Sequence, residues 1–308
     1  MEAIEIIDVF DLDLPERTAS YYLKGEVPTL IETSAAPSIP FLLQGLQKRN
    51  IDLDAIQYVI VTHIHLDHAG GVGLLLKWLP NATVIVHPRG LRHLVDPSRL
   101  IESAKMVYEE AFDPLFDPII PVPKARIRSV KDGETLVIDA DRMLTFYDTP
   151  GHAKHHLAIH DSKTNSIFTG DTLGTRYPQR FTQGTDFILP STSPVDFDPD
   201  QMLSSMKRIR DLDVARIYFG HFGYSDEPID VFHALSVWLQ RFTKIAEAQY
   251  HHHKEESDEA LVERIQEALF NKVETEVDYL DPGIFDYLKH DLHVNAQGLV
   301  HYYRAKSS

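Results

Sequence analysis

Residues 62–71 of the chain read THIHLDHAGG, and most of what the sequence predicts follows from this stretch. An apolar run at residues 58–61 precedes it and is typical of a buried strand. The stretch leads through Gly70, Gly71 and Gly73 into Leu74–Trp78, a pattern that predicts a helix opened by glycines. The turn between them carries three histidines and an aspartate within six positions: His63, His65, Asp67 and His68. The cluster is therefore predicted at the carboxyl end of a strand, where open α/β folds bind ligands.

The spacing of these four side chains favours metal binding. Residues two apart on an extended turn point the same way, so His63 and His65 can bind one ion together. Asp67 and His68 are offset onto the start of the helix and can bind a neighbouring ion. Imidazole and carboxylate groups are zinc ligands and also suit iron and manganese. A chance cluster of histidines on a solvated loop is the alternative, and the motif in this context disfavours it.

The pattern H-x-H-x-D-H resembles the signature of the metallo-β-lactamase superfamily. The further motifs that this resemblance implies follow in the expected order, each after an apolar strand pattern: TPGH at 149–152, GD at 170–171 and GH at 220–221. The resemblance implies two divalent metal ions, with zinc expected and iron or manganese as alternatives. Carried over residue by residue, it implies that one ion takes His63, His65 and His152, that the other takes Asp67, His68 and His221, and that Asp171 bridges them.

Two departures from the family pattern leave this assignment intact. Where the family has Asp-Thr-Gly after an early strand, this chain has Glu32, Thr33 and Ser34, a stretch that mainly supports the ligands. After the third histidine motif, the chain continues with His155 and His156, which we predict to pack or to support the ligands rather than to bind metal.

The resemblance covers about residues 1–225 and predicts the fold class. It implies an α/β fold of the αββα type, a four-layer sandwich in which two mixed sheets lie face to face, helices cover the outside, and metals bind at one edge. The alternation of strand and helix patterns along the chain is compatible with that architecture. Residues 1–225 are accordingly predicted to form the catalytic domain.

Residues 226–308 are predicted to form a small helical subdomain. A long amphipathic helix is expected over residues 228–250, followed by a helix capped by Ser257 and further helices, the last beginning near Asn295. The adjacent histidines His251–His253 are expected at an exposed helix end rather than in a metal site. The subdomain is predicted to act as a lid over the active site or as a homodimer interface.

The segment at residues 112–123 carries Pro114, Pro118, Pro121 and Pro123. Proline removes a backbone donor, so this density predicts a loop without regular structure. A long loop of this kind is either functional or a stiff surface connector.

The implied chemistry is hydrolysis by a hydroxide that bridges two metal ions, because paired metals make this nucleophile available near neutral pH. We expect attack on an ester, thioester or lactone carbonyl, giving a tetrahedral oxyanion. Asp67, Asp171 and Tyr177 are the candidate catalytic residues, with Tyr177 donating to the oxyanion or the leaving group. Arg176 or Arg180 is the candidate for binding a substrate carboxylate. Ordinary anchoring of the loop is the alternative role for Tyr177 and both arginines.

The residue at position 171 also favours particular branches of the family. Many β-lactamases of the superfamily have a cysteine where Asp171 stands, and this chain has no cysteine at all. The intact aspartate therefore resembles the glyoxalase II, lactonase and nuclease branches.

Composition limits the partners. The chain has 308 residues and a formal net charge of −16, which disfavours nucleic acid as a partner. It lacks an apolar run approaching the ~20 residues that span a bilayer, and its acidic start lacks signal-peptide features. The absence of cysteine fits a reducing cytosol. We therefore expect a cytoplasmic protein with a small-molecule substrate and no membrane partner.

Other activities share the same fold. A phosphodiesterase or nuclease is the first alternative, and the acidic balance of the chain stands against it. An iron-dependent dioxygenase, which would use one iron, and a flavodiiron-like redox protein are the others. The complete set of second-ion ligands disfavours the dioxygenase.

Overall fold

A computed structural model of the protein describes residues 4–277 and 279–307. The chain divides into two compact units. The first comprises Met1–Asp148, His155–Gly170 and Val214–Tyr224; the second comprises Thr149–Lys154, Asp171–Asp213 and Ser225–Ser308. Each unit combines separate segments of the chain, and the predicted division at residue 225 stays a prediction.

Two six-stranded sheets form the framework of the first unit. In the first sheet the strands lie in the order β1 (Ile4–Asp8), β2 (Ala19–Leu23), β3 (Thr29–Ile31), β4 (Tyr58–Ile60), β5 (Thr83–Val86) and β6 (Ile127–Ser129). The second sheet has the order β14 (Tyr224–Ser225), β13 (Arg216–Tyr218), β10 (Ser166–Phe168), β9 (Leu157–Asp161), β8 (Arg142–Asp148) and β7 (Thr135–Asp139). Both sheets mix parallel and antiparallel pairs, as predicted.

The core of the first unit lies between the two sheets and on the outer face of the first. One apolar cluster joins side chains of both sheets, including Tyr21, Ile60 and Phe146. A second cluster packs the other face of β3, β4 and β5 against the helices that follow them. These strands are buried on both faces, and their sequences accordingly read as continuous apolar runs rather than as alternating ones.

The helices of the first unit are short: α1 (Ile39–Lys48), α2 (Leu66–Ala69), α3 (Val72–Leu75), α4 (Pro88–Val95), α5 (Ser98–Tyr108) and α6 (Phe112–Phe116). The prediction of no regular structure over residues 112–123 was therefore wrong for its first five residues. Pro114 lies in the first turn of α6, where the backbone nitrogen has no partner within a helix, so proline is tolerated there. Phe112 and Phe116 are buried in one cluster with Leu66.

Four helices dominate the second unit: α7 (Pro199–Arg210), α8 (Pro228–His253), α9 (Asp258–Glu276) and α10 (Phe285–Ser307). A two-stranded sheet, β11 (Thr175–Arg176) and β12 (Ile188–Leu189), completes it. The long helix α8 contacts the other three through its buried apolar stripe. Ser257 caps α9 by accepting a hydrogen bond from the Ala260 amide, as predicted.

The prediction of a separate helix beginning near Asn295 was wrong, because α10 runs unbroken through that position. The Asn295 side chain accepts a hydrogen bond from the Thr192 amide instead of capping a helix. His251 and His252 are exposed and His253 is half-buried at the end of α8, which matches the expected helix end. Among the described residues, no helix combines the length and the apolarity needed to cross a membrane.

Candidate metal centre

The H-x-H-x-D-H motif at residues 63–68 begins on the turn between β4 and α2, so its side chains lie at the carboxyl end of a buried strand. The Nε2 atom of His63 lies 3.0 Å from Nδ1 of His65. One turn further on, Oδ2 of Asp67 lies 3.4 Å from Nε2 of His68. The two pairs that the spacing predicted are therefore formed.

His221 joins the second of these pairs. It follows β13, and its Nε2 atom lies 3.6 Å from Oδ2 of Asp67. Asp67, His68 and His221 each offer one ligand atom within 4.8 Å of the others. Gly220 makes this approach feasible, because a side chain there would place its Cβ 2.6 Å from Cε1 of His68. The glycine of the last motif is thus required by packing against a predicted ligand.

In the second unit, His152 and Asp171 form a matching pair. Nε2 of His152 lies 3.6 Å from Oδ2 of Asp171, and the Ser191 hydroxyl donates to the same carboxylate oxygen at 2.9 Å. Gly151, with φ of +132°, turns the chain so that the backbone of α7 passes close to it. Both predicted ligands of this unit are therefore brought together.

The spacing of the donor atoms fits a metal ion. Two ligand atoms bound to one zinc ion at about 2.0–2.1 Å in tetrahedral geometry lie about 3.3 Å apart. The four pairs described above are separated by 3.0, 3.4, 3.6 and 3.6 Å. The donor set, imidazole nitrogen with carboxylate oxygen, also suits iron and manganese.

The outer nitrogens of the histidine rings are held by oxygen atoms. Nδ1 of His68 lies 2.9 Å from Oε2 of Glu32, and Nδ1 of His152 lies 3.0 Å from the Ser191 carbonyl oxygen. A carboxylate and a carbonyl only accept hydrogen bonds, so these rings carry a proton on Nδ1, and in the neutral ring Nε2 is then unprotonated. Contacts of this kind orient metal-binding histidines and set their tautomer.

Glu32 also anchors the strand that leads into the motif. Its Oε1 atom accepts a hydrogen bond from the Thr62 amide at 2.7 Å, and its side chain is buried. Glu32 and Ser34 both adopt left-handed backbone conformations, with φ of 67° and 63°. The stretch that departs from Asp-Thr-Gly therefore supports a predicted ligand, as expected from the sequence.

Two groups near the ligands lack any motif in the sequence. Asp11 is buried and pairs with Arg17 at 3.3 Å. Burial raises the pKa of the Asp11 carboxyl, and the Arg17 guanidinium opposes that shift. The Thr18 hydroxyl lies 3.4 Å from Nδ1 of His221. Sequence reasoning missed these residues, and Ser191 with them, because they form no motif and the contacts of Thr18 with His221 and of Ser191 with Asp171 join separate segments.

The neighbouring histidines take the supporting positions expected of them. The His156 ring is buried and stacks on His63 with centroids 4.8 Å apart. The His155 ring stands perpendicular to His65 at 5.5 Å. Neither belongs to the groups of three candidate ligand residues found among the described residues.

The three candidate substrate residues are engaged within the second unit. The Tyr177 hydroxyl donates to Oδ2 of Asp291 at 2.9 Å. Nη2 of Arg180 donates to the Tyr287 hydroxyl at 2.7 Å. Arg176 pairs with Asp186 at 2.9 Å. These are anchoring contacts, and the roles of the three residues toward a substrate stay predictions.

Comparison with known proteins identifies the family. The sequence model described as the metallo-beta-lactamase superfamily matches residues 14–221, which is more than half of the chain. The chain belongs to the metallo-β-lactamase superfamily. The predicted family and its αββα fold class, with a helical C-terminal region, are thereby confirmed.

Relatives within the metallo-β-lactamase superfamily differ in their described roles. The metallo-beta-lactamase fold-containing protein ST1585 of Sulfurisphaera tokodaii is 27% identical over 216 residues, which are 69% of this chain and 75% of ST1585. A putative diflavin flavoprotein of Synechocystis is 26% identical over 76% of this chain, but the match spans only 38% of that protein. A hydroxyacylglutathione hydrolase of Photobacterium profundum is 28% identical over 58% of this chain and 52% of its own length.

Solved structures of the superfamily share the fold over nearly the whole chain. The crystal structure of ST1585 matches with a TM-score of 0.65 and 21% identity, covering 97% of this chain and 98% of that one. A metallo-beta-lactamase family protein from Thermus thermophilus, TTHA1429, matches with a TM-score of 0.68 and 18% identity, covering 100% of this chain and 95% of that one. At these identities the likeness concerns the fold alone.

Proposed function

We propose that this protein is a binuclear metal-dependent hydrolase acting on the carbonyl of a small ester, thioester or lactone. The observation that carries the proposal is the spacing of 3.0–3.6 Å between adjacent donor atoms within each unit. In the proposed centre all seven predicted ligands hold two divalent ions, zinc first among them: His63, His65, Asp67, His68, His152, Asp171 and His221. Such a pair supplies Lewis acidity and a nucleophile near neutral pH.

The burial of the ligands in the first unit indicates where a substrate approaches. His63, His68 and His221 are buried, whereas His65 and Asp67 are partly exposed. A small molecule therefore reaches the donors from the side of His65 and Asp67. The buried histidines, held on their outer side, keep their metal-facing nitrogens in place while a substrate binds and leaves.

Two observations support a carbonyl substrate rather than a phosphodiester. One relative is a hydroxyacylglutathione hydrolase, although the match covers about half of that protein. The formal net charge of −16 repels polyanionic phosphodiesters. A small-molecule substrate is part of this proposal, whereas the cytoplasmic location and the homodimer stay predictions.

The test begins with metal content, measured on protein purified without added metal or chelator. We expect about two zinc ions per chain, as binuclear sites hold. Turnover is then compared on esters, thioesters and lactones and on bis-p-nitrophenyl phosphate, with His68→Ala as the inactive reference. Activity confined to the phosphodiester would contradict the carbonyl substrate and favour the phosphodiesterase alternative.

A second candidate, an iron-containing redox protein, is favoured by the diflavin flavoprotein match. That relative aligns over 76% of this chain, and the ligand types suit iron as well as zinc. Iron in the purified protein, together with oxygen consumption in the presence of a reductant, would place this candidate first. Bound zinc with no oxygen consumption would exclude it.

A further inference from the structure

The connection between β1 and β2 has an unusual backbone. Phe10, Leu12, Asp13 and Glu16 all have positive φ, between 48° and 58°. For residues other than glycine this left-handed conformation is unfavourable, although least so for asparagine and aspartate. Such outliers persist where the surrounding structure holds them, and they cluster at functional sites. The strained backbone therefore indicates that this connection has a role beyond joining two strands.

Hydrogen bonds hold this connection in its strained form. The Asp8 carboxylate accepts from the amide of Phe10 at 3.0 Å and from the amide of Glu16 at 2.8 Å. At its end, the Ala19 amide donates to the carbonyl of Gly220, next to a predicted ligand, at 3.2 Å. The connection is thus attached directly to the segment that carries His221.

The strained backbone buries a pair of opposite charges. The side chains of Arg17 and Asp11 are only 5% and 4% exposed and lie 3.3 Å apart. Burying two charges is unfavourable, and breaking such a pair by removing one partner strongly destabilises a protein. Asp11 also interacts electrostatically with three of the predicted ligands, Asp67, His68 and His221.

A hydroxyl connects this pair to His221. The Thr18 hydroxyl donates to Oδ2 of Asp11 at 3.4 Å, so its oxygen is left to accept from Nδ1 of His221, also at 3.4 Å. This direction of donation places a ring proton on Nδ1, so the neutral ring has an unprotonated Nε2, which lies 3.6 Å from Oδ2 of Asp67. The protonation pattern is the one that Glu32 imposes on His68.

The same network includes a residue that departs from the family pattern. Ser34 stands where the family has glycine, and its φ of 63° lies in the region that favours glycine. Its hydroxyl donates to Oδ1 of Asp11 at 3.5 Å. Ser34 thus adopts an unfavourable backbone conformation and donates a hydrogen bond to the buried carboxylate of Asp11. The replacement of glycine by serine at this position is therefore linked to Asp11.

We propose that Thr18 and Asp11 are positioning residues for His221: Thr18 orients the imidazole and fixes its tautomer, and Asp11, paired with Arg17, orients Thr18. This inference rests on the proposed metal centre. The contacts are at the long end of the hydrogen-bonding range, so the expected effect lies at the lower end of the 10–100-fold range seen for groups that support metal ligands.

The first experiment compares Thr18→Val, which removes the hydroxyl and keeps the shape, with Thr18→Ser, which keeps the hydroxyl. Zinc affinity is measured by competition with a chromophoric chelator. We expect Thr18→Val to lower the affinity for one of the two zinc ions about tenfold and to leave the affinity for the other unchanged. The affinities of Thr18→Ser should stay within about twofold of the wild type. Unchanged affinities in Thr18→Val, or equal losses in both variants, would overturn the proposal.

A second measurement does not need the metal. The ¹⁵N shifts of histidine-labelled, metal-free protein report which ring nitrogen is protonated, and His221→Ala assigns the His221 signals. We expect the Nδ1–H form in the wild type and in Thr18→Ser, and a mixture of tautomers in Thr18→Val. The same mixture in all three proteins would refute the positioning role even if the protein bound no metal.

Asp11→Asn tests the outer part of the network, with Asp13→Asn as the matched control because Asp13 lies exposed on the same connection. We expect Asp11→Asn to reproduce the tautomer mixture of Thr18→Val and Asp13→Asn to match the wild type. A wild-type spectrum from folded Asp11→Asn would remove Asp11 from the proposal. Absence of zinc from the wild-type protein would instead contradict the proposed function, and the tautomer measurement would still decide the inference.

Discussion

At the scale of single residues, Glu32 makes a short contact with a predicted ligand. Its two carboxylate oxygens are divided between the Thr62 amide at 2.7 Å and Nδ1 of His68 at 2.9 Å. A hydrogen bond to an ionised group contributes about 1.5–3 kcal/mol, more than a neutral one. Glu32 therefore sets both the path of the backbone into the motif and the orientation of His68.

Replacing Glu32 by glutamine should weaken metal binding. The amide can keep the bond from Thr62, but its NH₂ group then faces the proton on Nδ1 of His68. We expect zinc affinity to fall about 10–100-fold, measured by chelator competition.

Glu134→Gln is the matched control, because Glu134 pairs with Arg128 at the surface, away from the predicted ligands in sequence. We expect its zinc affinity to equal that of the wild type. An unchanged affinity in Glu32→Gln would show that the carboxylate is dispensable for orienting His68.

Asp171 provides a second prediction at this scale. Asp171→Asn keeps the shape but removes the charge that faces His152 at 3.6 Å. We expect the metal content to fall from two ions to about one per chain, and turnover to drop at least about 100-fold, because a neutral amide is a poor bridge between cations.

Elemental analysis and kinetics on the same preparation check this prediction. Asp196→Asn is the control, since Asp196 pairs with Lys154 in a partly exposed contact. Two tightly bound ions in Asp171→Asn would remove this residue from the proposed bridge.

At the scale of elements, one face of α10 holds the segment that follows Asp171. Tyr287, Asp291 and Asn295 are spaced four residues apart and therefore lie on one side of the helix. They contact Arg180, Tyr177 and Thr192, respectively. The helix α10 thus orders the segment that carries the candidate substrate residues Tyr177 and Arg180 within the second unit.

Gly298 continues that face and allows close contact. A Cβ atom there would overlap the carbonyl oxygen of Thr192. Helix propensity alone favours Gly298→Ala by about 1 kcal/mol. We expect the opposite sign, a loss of about 1–3 kcal/mol in the free energy of unfolding, because overpacking outweighs propensity.

Urea denaturation measures this change, and His301→Ala on the same helix is the exposed control. We expect the control to unfold within about 0.5 kcal/mol of the wild type. A more stable Gly298→Ala protein would mean that α10 and the segment at Thr192 move apart without a loss in the free energy of unfolding.

At the scale of the whole molecule, the proposed ions would be bound by segments that are far apart in the sequence, from His63 to His221. Binding to the folded chain alone stabilises it by RT ln(1 + [L]/Kd), which is about 4 kcal/mol at a thousandfold excess over Kd. We expect the melting temperature to fall by several degrees when a strong chelator removes the metal, and to recover when zinc is restored. Calorimetry with and without chelator checks this; a melting temperature unchanged after verified metal removal would contradict it.

The sequence determined the family, the strand-to-helix turn and the ligand motifs. Each of these signals is local: apolar runs end in short motifs such as H-x-H-x-D-H, and neighbouring residues suffice to indicate the geometry. The wrong prediction of a loop at α6 was also local. It relied on the number of prolines and did not consider that Pro114 lies in the first turn of a helix.

The tertiary structure alone decided the contacts that join distant segments of the chain. Thr18 meets His221 across 203 positions of the chain, and Thr192 meets Asn295 across 103. Neither pair has a periodic or compositional signal, because a single threonine or asparagine is equally compatible with a surface loop. These contacts arise only when sheets and helices pack and bring distant segments together. Sequence spacing therefore predicts the metal ligands and the supporting stretch at residues 32–34, but not a contact such as that of Thr18 with His221.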